Sequence, residues 1–470
     1  MTTKTSLQAK HSALDKQQRE QKELLQAFTR TLHRFFGGWS TLFRGVSDPR
    51  NPKYITYPLI GLLCAGVMMY YFRLGSRREI ANKLRDNGPS QAKFGAWFEV
   101  ENVPHGDTLN HTFKRLAVDE VQEVVCRTVE SLIRKRVLER WRLYGYYTIS
   151  VDGTGGLTFP ERHCPYCLTR KLSNGATLYY HPILEAKLVT PNGFAFSLMT
   201  EFIENTDPQA DKQDCELKAF YRLAERLKAR FPRLPICLLL DGLYACGPVF
   251  QLCADNNWKY MIVLQDGSLV NLHRSYKVVL SQVPENHKCL HLGSQLKTLQ
   301  NYRWANEVDY YDGQDRRHRV SVLTCEETKP GKHGAKQANP PSRTSQHKWV
   351  TNFTIRMNNV DMLANQGGRL RWKIENEGFN VQKNGGFNLE HVYSHDENAR
   401  KVFYLLLQIA YLLFQLFEKG SLFRTAFPKG VGSLKNISAR LLEAWRNLRI
   451  TPEEFNSLYG GRYQIRFDSS

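Results

Sequence analysis

The chain lacks an apolar run long enough to be read as a membrane span. Its best candidates are residues 59–72, which give way to Arg73, Arg77 and Arg78, and residues 402–417, which Gln408 and Gln415 interrupt. Both fall short of the roughly 20 apolar residues that cross a bilayer, so both are predicted to be buried helices, with no membrane among the partners. The N-terminal segment carries Lys4, Lys10, Lys16 and Arg19 and no apolar signal core, so secretion is not expected. The 10 cysteines are scattered, which argues against a disulfide scaffold and for a reducing, cytoplasmic setting. No internal repeat is visible. Acid is scarce: 65 Lys+Arg face 45 Asp+Glu, for a formal net charge of +20 over 470 residues. A basic excess of that size, on a chain long enough for two or three domains, points to a polyanion partner and to nucleic acid first.

What the chain does have is a β-branched run that delivers one acid into a glycine-rich turn, Tyr147-Thr148-Ile149-Ser150-Val151-Asp152-Gly153-Thr154-Gly155. A second run, Pro235-Ile236-Cys237-Leu238-Leu239-Leu240-Asp241-Gly242, repeats the pattern. Two buried strands ending in Asp-Gly hold two carboxylates at one sheet edge. Carboxylates are hard oxygen ligands that suit magnesium beside phosphate. Either Asp-Gly alone is a common turn; the pair together is the signal.

Five segments follow from composition and period. Residues 1–145 are helical, with Asp107 read as an N-cap and an apolar face through Leu109, Phe113, Leu116, Val121, Val125, Val129 and Leu132. Arg77, Arg78, Lys83, Arg85, Arg134, Lys135 and Arg136 lie between the apolar faces, either as a solvated surface or, taken as a set, as a DNA-binding region. Residues 146–265 hold strands at 146–151, 178–189 and 194–202, a helix at 214–231, a strand at 236–240, a helix opened by Pro248 and a strand at 259–264. That order is the order of a ribonuclease-H-like α/β core, with right-handed crossovers placing the later strands beside the first. Residues 266–348 form a β-rich insertion whose stretch 326–346, rich in Lys, Pro, Gly and Ser, is an exposed flexible loop. Residues 349–420 return to the core through a polar helix at 359–379 and an apolar helix around 405–417. Residues 421–470 form a C-terminal helical tail.

The third acid should come from a helix over the sheet edge. Arg369-Leu370-Arg371-Trp372-Lys373-Ile374-Glu375-Asn376-Glu377 offers Glu375, with Arg371 one helical turn before it and on the same face. That guanidinium can hold the carboxylate or a DNA phosphate. Glu377 lies roughly 200° around such a helix and faces away.

These residues resemble the DDE transposases of bacterial insertion sequences, of the insertion-sequence-four type with a tyrosine–arginine–glutamate signature. The similarity covers about 145–420, and Arg-Trp-x-Ile-Glu-Asn is its most specific piece. The resemblance implies a ribonuclease-H-like catalytic core, a β-rich insertion before the glutamate and cut-and-paste transposition. Asp152, Asp241 and Glu375 would be its acids, holding two Mg2+ ions, with Mn2+ as a substitute. Its partners would be terminal inverted repeats and target DNA, bound by a homodimer in a synaptic complex at the bacterial nucleoid. Arg371 matches the signature arginine as a DNA-binding residue. Two positions depart: Gly368 stands where the tyrosine is expected, and Gln382 where a lysine is, with Lys383 one residue later as the candidate DNA contact.

Some family members stack a displaced base on a tryptophan of the insertion; Trp304 and Trp349 flank it here, and their ordinary reading is as core aromatics. Cys164 and Cys167 form one half of a zinc knuckle. Zinc needs four ligands, and His163 and His181 supply the others only if the hairpin folds back, so two thiols without metal is the first reading. A haloacid-dehalogenase phosphatase would need an aspartate where Ser150 stands, and an aspartic protease would need Asp-Thr-Gly. Two alternatives on the same fold stay open: a nuclease without strand transfer, and an inactive DNA-binding relic.

Overall fold

The structure, a computed structural model, describes residues 2–85, 88–98, 100–205, 213–293, 298–331 and 342–467. Among these described residues, twelve strands form two sheets: β1 (Tyr147–Thr154), β2 (Thr158–Phe159), β3 (Leu168–Lys171), β4 (Thr177–Tyr180), β5 (Ile183–Val189), β6 (Ala195–Phe202), β7 (Ile236–Leu240), β8 (Lys259–Val263), β9 (His287–Leu292), β10 (Thr298–Tyr311), β11 (Arg317–Lys329) and β12 (Arg343–Thr351). Nine make one mixed sheet in the order β6-β5-β1-β7-β8-β12-β11-β10-β9, and β2-β4-β3 make a small second sheet. β1, β7 and β8 run parallel, and β5 and β6 antiparallel beside them. Parallel neighbours need crossovers: the helix Glu216–Arg230 joins β6 to β7, and the helix Gly247–Asp255, opened by Pro248, joins β7 to β8. The protein is thus a mixed α/β fold with helices at both ends of the chain.

Several expected elements shift. The strand expected at 178–189 is broken into β4 and β5 by His181 and Pro182, because proline has no N–H for a ladder bond. The freed half joins the small sheet, which the alternation did not reveal. The helix Gly106–Phe113 is capped by His105, whose ring nitrogen accepts from the Asp107 N–H at 3.3 Å, so Asp107 lies inside the first turn. The strands of the insertion are not a separate layer, since β12 pairs antiparallel with β8 and extends the core sheet. β11 and β12 also reach into the stretch expected to be a flexible loop; its residues 332–341 lie outside the described residues. The polar helix expected at 359–379 continues to residue 384 and is wound unevenly. It is wide at Leu363–Gly367 and Ile374–Phe379 and tight at Gly368–Trp372, and such irregular turns recur at functional sites.

The larger core runs on one face of the sheet and includes Ile149, Val151, Leu238 and Leu240 together with helix residues from both chain ends. The helix Glu397–Lys419 crosses it. At 23 residues this helix is longer than the run expected at 402–417 and, against that expectation, is long and apolar enough to cross a membrane, yet 89% of its apolar window is buried inside the fold. The other apolar stretch forms the helix Leu59–Tyr71, also largely buried, as expected. The smaller core, on the opposite face, gathers Cys237, Leu239, Met261, Trp304, Trp349, Leu363 and Leu370. Trp445 joins the two ends of the chain, its ring 4.7 Å from that of Trp97 and 5.5 Å from that of Phe72. Because Trp445 is fully buried, Trp445→Ala is expected to cost about 3–5 kcal/mol. Denaturant unfolding checks this, and an unchanged midpoint would detach the C-terminal helices from the core.

Candidate active site

Side chains alternate across a strand. Ser150 of β1 pairs in register with Leu239 of β7, and Asp152 and Asp241 each lie two residues further on. Leu239 belongs to the smaller core, so the two aspartates emerge at the same level on that face. Parallel neighbours stand about 4.8 Å apart. Both acids are therefore placed at the carboxyl ends of adjacent parallel strands, where α/β sheets open.

The uneven helical stretch 360–384 covers this edge. Ser150 Oγ donates to the Arg371 carbonyl at 3.2 Å, which seats the stretch directly on β1. Arg371 is 5% exposed, and its Nη1 lies 3.3 Å from Asp152 Oδ2 and 3.0 Å from Glu375 Oε1. Thus Asp152 and Glu375, 223 positions apart by their numbers in the sequence, meet on one guanidinium. Glu377 turns away as expected and pairs with Lys373 at 2.7 Å. Asp241 Oδ1 accepts from the Leu243 N–H at 2.6 Å and caps the turn Gly242–Tyr244. It does not close on the other two. Among the described residues, the groups of three or more His, Cys, Asp or Glu with donor atoms within 4.8 Å of one another lie elsewhere.

Two side chains at this edge carried no sequence signal. Glu216 opens the helix after β6, and its Oε2 would sit 2.6 Å from a Cβ added to Gly153. The glycine after Asp152 is therefore what lets a further carboxylate approach. Tyr244 donates from its hydroxyl to Glu216 Oε1 at 2.6 Å. Its phenol is held far above its usual range by burial and then by the charges of Glu216, Asp152 and Asp241, so it stays a donor. Burial likewise pushes the Asp152 carboxyl up to about 7; Arg371 opposes the shift, while Glu375 and Glu216 reinforce it. Carboxylates this crowded, with hard oxygen donors, fit a divalent cation. Asp152, Glu375, Asp241 and Glu216 are the residues available to hold one.

The structure also shows the surroundings of Gly368, Gln382 and Lys383. A Cβ at Gly368 would fall 2.3 Å from the Trp349 indole, so no tyrosine fits there. Gln382 is fully buried and donates to Gln408 at 2.7 Å, in a network that also takes Lys187. Lys383 pairs with Glu390 at 2.8 Å. Trp304 and Trp349 are both core residues, 2% and 3% exposed, which removes them as base-stacking candidates; Trp372, beside Arg371, is 50% exposed instead. In the N-terminal basic set, Arg77, Lys83, Arg134 and Arg136 each already face a carboxylate. No family model matches this chain, and no curated protein matches it either.

The raised Asp152 carboxyl has a sign that can be tested. Folded Asp152 binds its proton more tightly than the unfolded chain, whose aspartate titrates near about 3.9. Its contribution to stability is present below that pH and is lost as pH rises through about 7. In chelator-treated protein, Asp152→Asn is expected to gain stability relative to wild type across that window, read from melting temperatures. Parallel pH curves for the two proteins would remove the shift. Separately, Gly368→Tyr is expected to destabilise the fold by about 1–3 kcal/mol or more through overpacking against Trp349, measured by the same melts.

Proposed function

We propose that this protein is a DDE-type DNA transposase that cuts at the ends of its element and joins the freed ends to target DNA. The observation that carries the reading is the meeting of Asp152 and Glu375 on buried Arg371, over the strand beside Asp241. The order β6-β5-β1-β7-β8, two antiparallel strands followed by three parallel ones, is in keeping with a ribonuclease-H-like core. Strands β9–β12 stand where that family inserts a β-rich segment before the glutamate. The net charge of +20 suits DNA as the partner; a homodimer spanning paired ends, working at the bacterial nucleoid, comes from the resemblance alone.

The protein's own residues have separate tasks in this reading. Asp152, Asp241 and Glu375 would hold two magnesium ions, which when bound activate the attacking water or 3′-hydroxyl and steady the leaving oxygen. Arg371 keeps Asp152 and Glu375 aligned before DNA arrives, through charge-assisted hydrogen bonds at 3.3 and 3.0 Å. Tyr244 fixes Glu216 beside them. Trp372 offers an exposed ring on which an unpaired base can stack. Lys383 contributes to DNA binding only by exchanging its Glu390 partner for a phosphate.

Asp152→Asn, Asp241→Asn and Glu375→Gln are each expected to cut donor-DNA cleavage by more than the about 10–100-fold typical of a change outside the ligand shell, while end binding is kept. A supercoiled donor assay with a parallel gel-shift measures both. Normal cutting by any one variant removes that residue from the site. Arg371→Ala should lower cleavage more than binding. Cleavage without joining to target would assign a nuclease on the same fold.

A further inference from the structure

The small sheet β2-β4-β3 closes a second site that lies outside the proposed catalytic edge. Tyr180 at the end of β4 pairs with Thr158 of β2 on one side and with Leu168 of β3 on the other. His181, the next residue, is thereby set beside Cys167, which immediately precedes Leu168. This is the fold-back that spacing alone left open. His163, Cys164, Cys167 and His181 each present a donor atom, and all four lie within 4.8 Å of one another.

The separations suit one particular ion. A tetrahedral zinc with bonds of about 2.3 Å to sulfur and about 2.1 Å to nitrogen sets its ligand atoms about 3.5–3.8 Å apart. Here Cys164 Sγ is 3.4 Å from Cys167 Sγ and 3.3 Å from His181 Nε2, while Cys167 Sγ is 3.3 Å from His181 Nε2 and 3.5 Å from His163 Nδ1. Both cysteines are free thiols. His163 Nε2 lies 3.3 Å from the His395 carbonyl, to which it can donate, leaving Nδ1 as the ligand nitrogen. That outer partner is what zinc-ligating histidines usually have. Glu397 Oε1, itself buried, lies 3.6 Å from His181 Nε2 and 3.7 Å from His163 Nε2.

We propose that His163, Cys164, Cys167 and His181 bind one zinc ion, which ties the connection between β2 and β3 to the residue that follows β4. A rival set, His181 with Glu204 and Glu397, also has its donor atoms within 4.8 Å. Its carboxylates are already held by cations: Arg400 reaches both, and Lys401 lies 2.6 Å from Glu204. The two thiols have no such competitor, and soft sulfur selects zinc over magnesium. Arg400 Nη2 stands 3.2 Å from His181 Nδ1. With Nε2 on the metal that nitrogen carries the ring proton, so the ring must exchange Arg400 for one of the nearby carboxylates.

The test needs no DNA and is independent of the transposase reading. Full-length protein, purified without chelator, is expected to carry about one zinc per chain by elemental analysis, falling below about a tenth in Cys164→Ser and Cys167→Ser. Should those variants fail to fold, wild-type protein reloaded with Co2+ decides the matter. Tetrahedral ligand-field bands with thiolate charge-transfer absorption support the site. Wild-type protein that neither carries zinc nor takes up cobalt overturns it. So does cobalt uptake without thiolate absorption that is lost in Glu204→Gln, which assigns the carboxylate set instead.

Discussion

A buried guanidinium organises the edge of this sheet. Arg371 sits 5% exposed, and an arginine cannot shed its charge, so the fold must supply anions within reach. It supplies two, Asp152 from the end of β1 and Glu375 from the next helical turn. Removing both would leave a buried charge uncompensated. The ion pairs therefore do more than orient carboxylates: they bind the helical stretch 360–384 to the central strand. Around that pin, the stretch is held further by Ser150 Oγ on the Arg371 carbonyl and by Arg369 on Glu327 of β11 at 2.9 Å.

The same arrangement carries a tension. Asp152, Glu375 and Glu216 crowd together, and one cation shared by Asp152 and Glu375 does not fully offset their repulsion and desolvation, which is why the Asp152 carboxyl rises toward neutrality. A fold selected only for stability would place a neutral or apolar group there. Retaining several acids at the open end of parallel strands, with a glycine at 153 to let another approach, concentrates negative charge where a divalent cation would relieve it. Electrostatic strain of this kind is expected at a site that waits for a ligand.

How much of this was legible in the residues depended on range. The two strand-to-Asp-Gly runs were read directly, since β-branched runs and turn glycines are local signals; β7 begins and ends where expected. The Arg371–Glu375 pair was legible because one helical turn sets it. Glu216 and Tyr244 were not, because neither lies in a motif and both reach the edge only through the packing of a helix and a turn. The break at Pro182 was available in the sequence, but the apolar run on either side of it masked the proline. The closure of His181 onto Cys167 depended on which strands pair, and pairing is not encoded in the spacing of four residues. Gly368 looked like a loss of signature, whereas its cause is a tryptophan 19 positions earlier, Trp349, by their sequence numbers.

The sheet's two halves meet at a short seam. β10 and β11 share eleven registered pairs, but β12 meets β8 through only three, Trp349–Val263, Val350–Ile262 and Thr351–Met261. Asn352 lengthens the seam with its side-chain amide, accepting from the Tyr260 N–H at 3.1 Å and donating to the Trp258 carbonyl at 2.9 Å. At the other end of the seam the Leu264 N–H donates to the Lys348 carbonyl at 2.9 Å, and the halves are also tied across the face of the sheet. The Arg369–Glu327 ion pair and the seating of Gly368 against Trp349 both lie within three residues of Arg371. The β9–β12 wing is therefore in direct contact with the segment that sets the guanidinium. The segment that holds Asp152 and Glu375 is thus also one that touches both halves of the sheet.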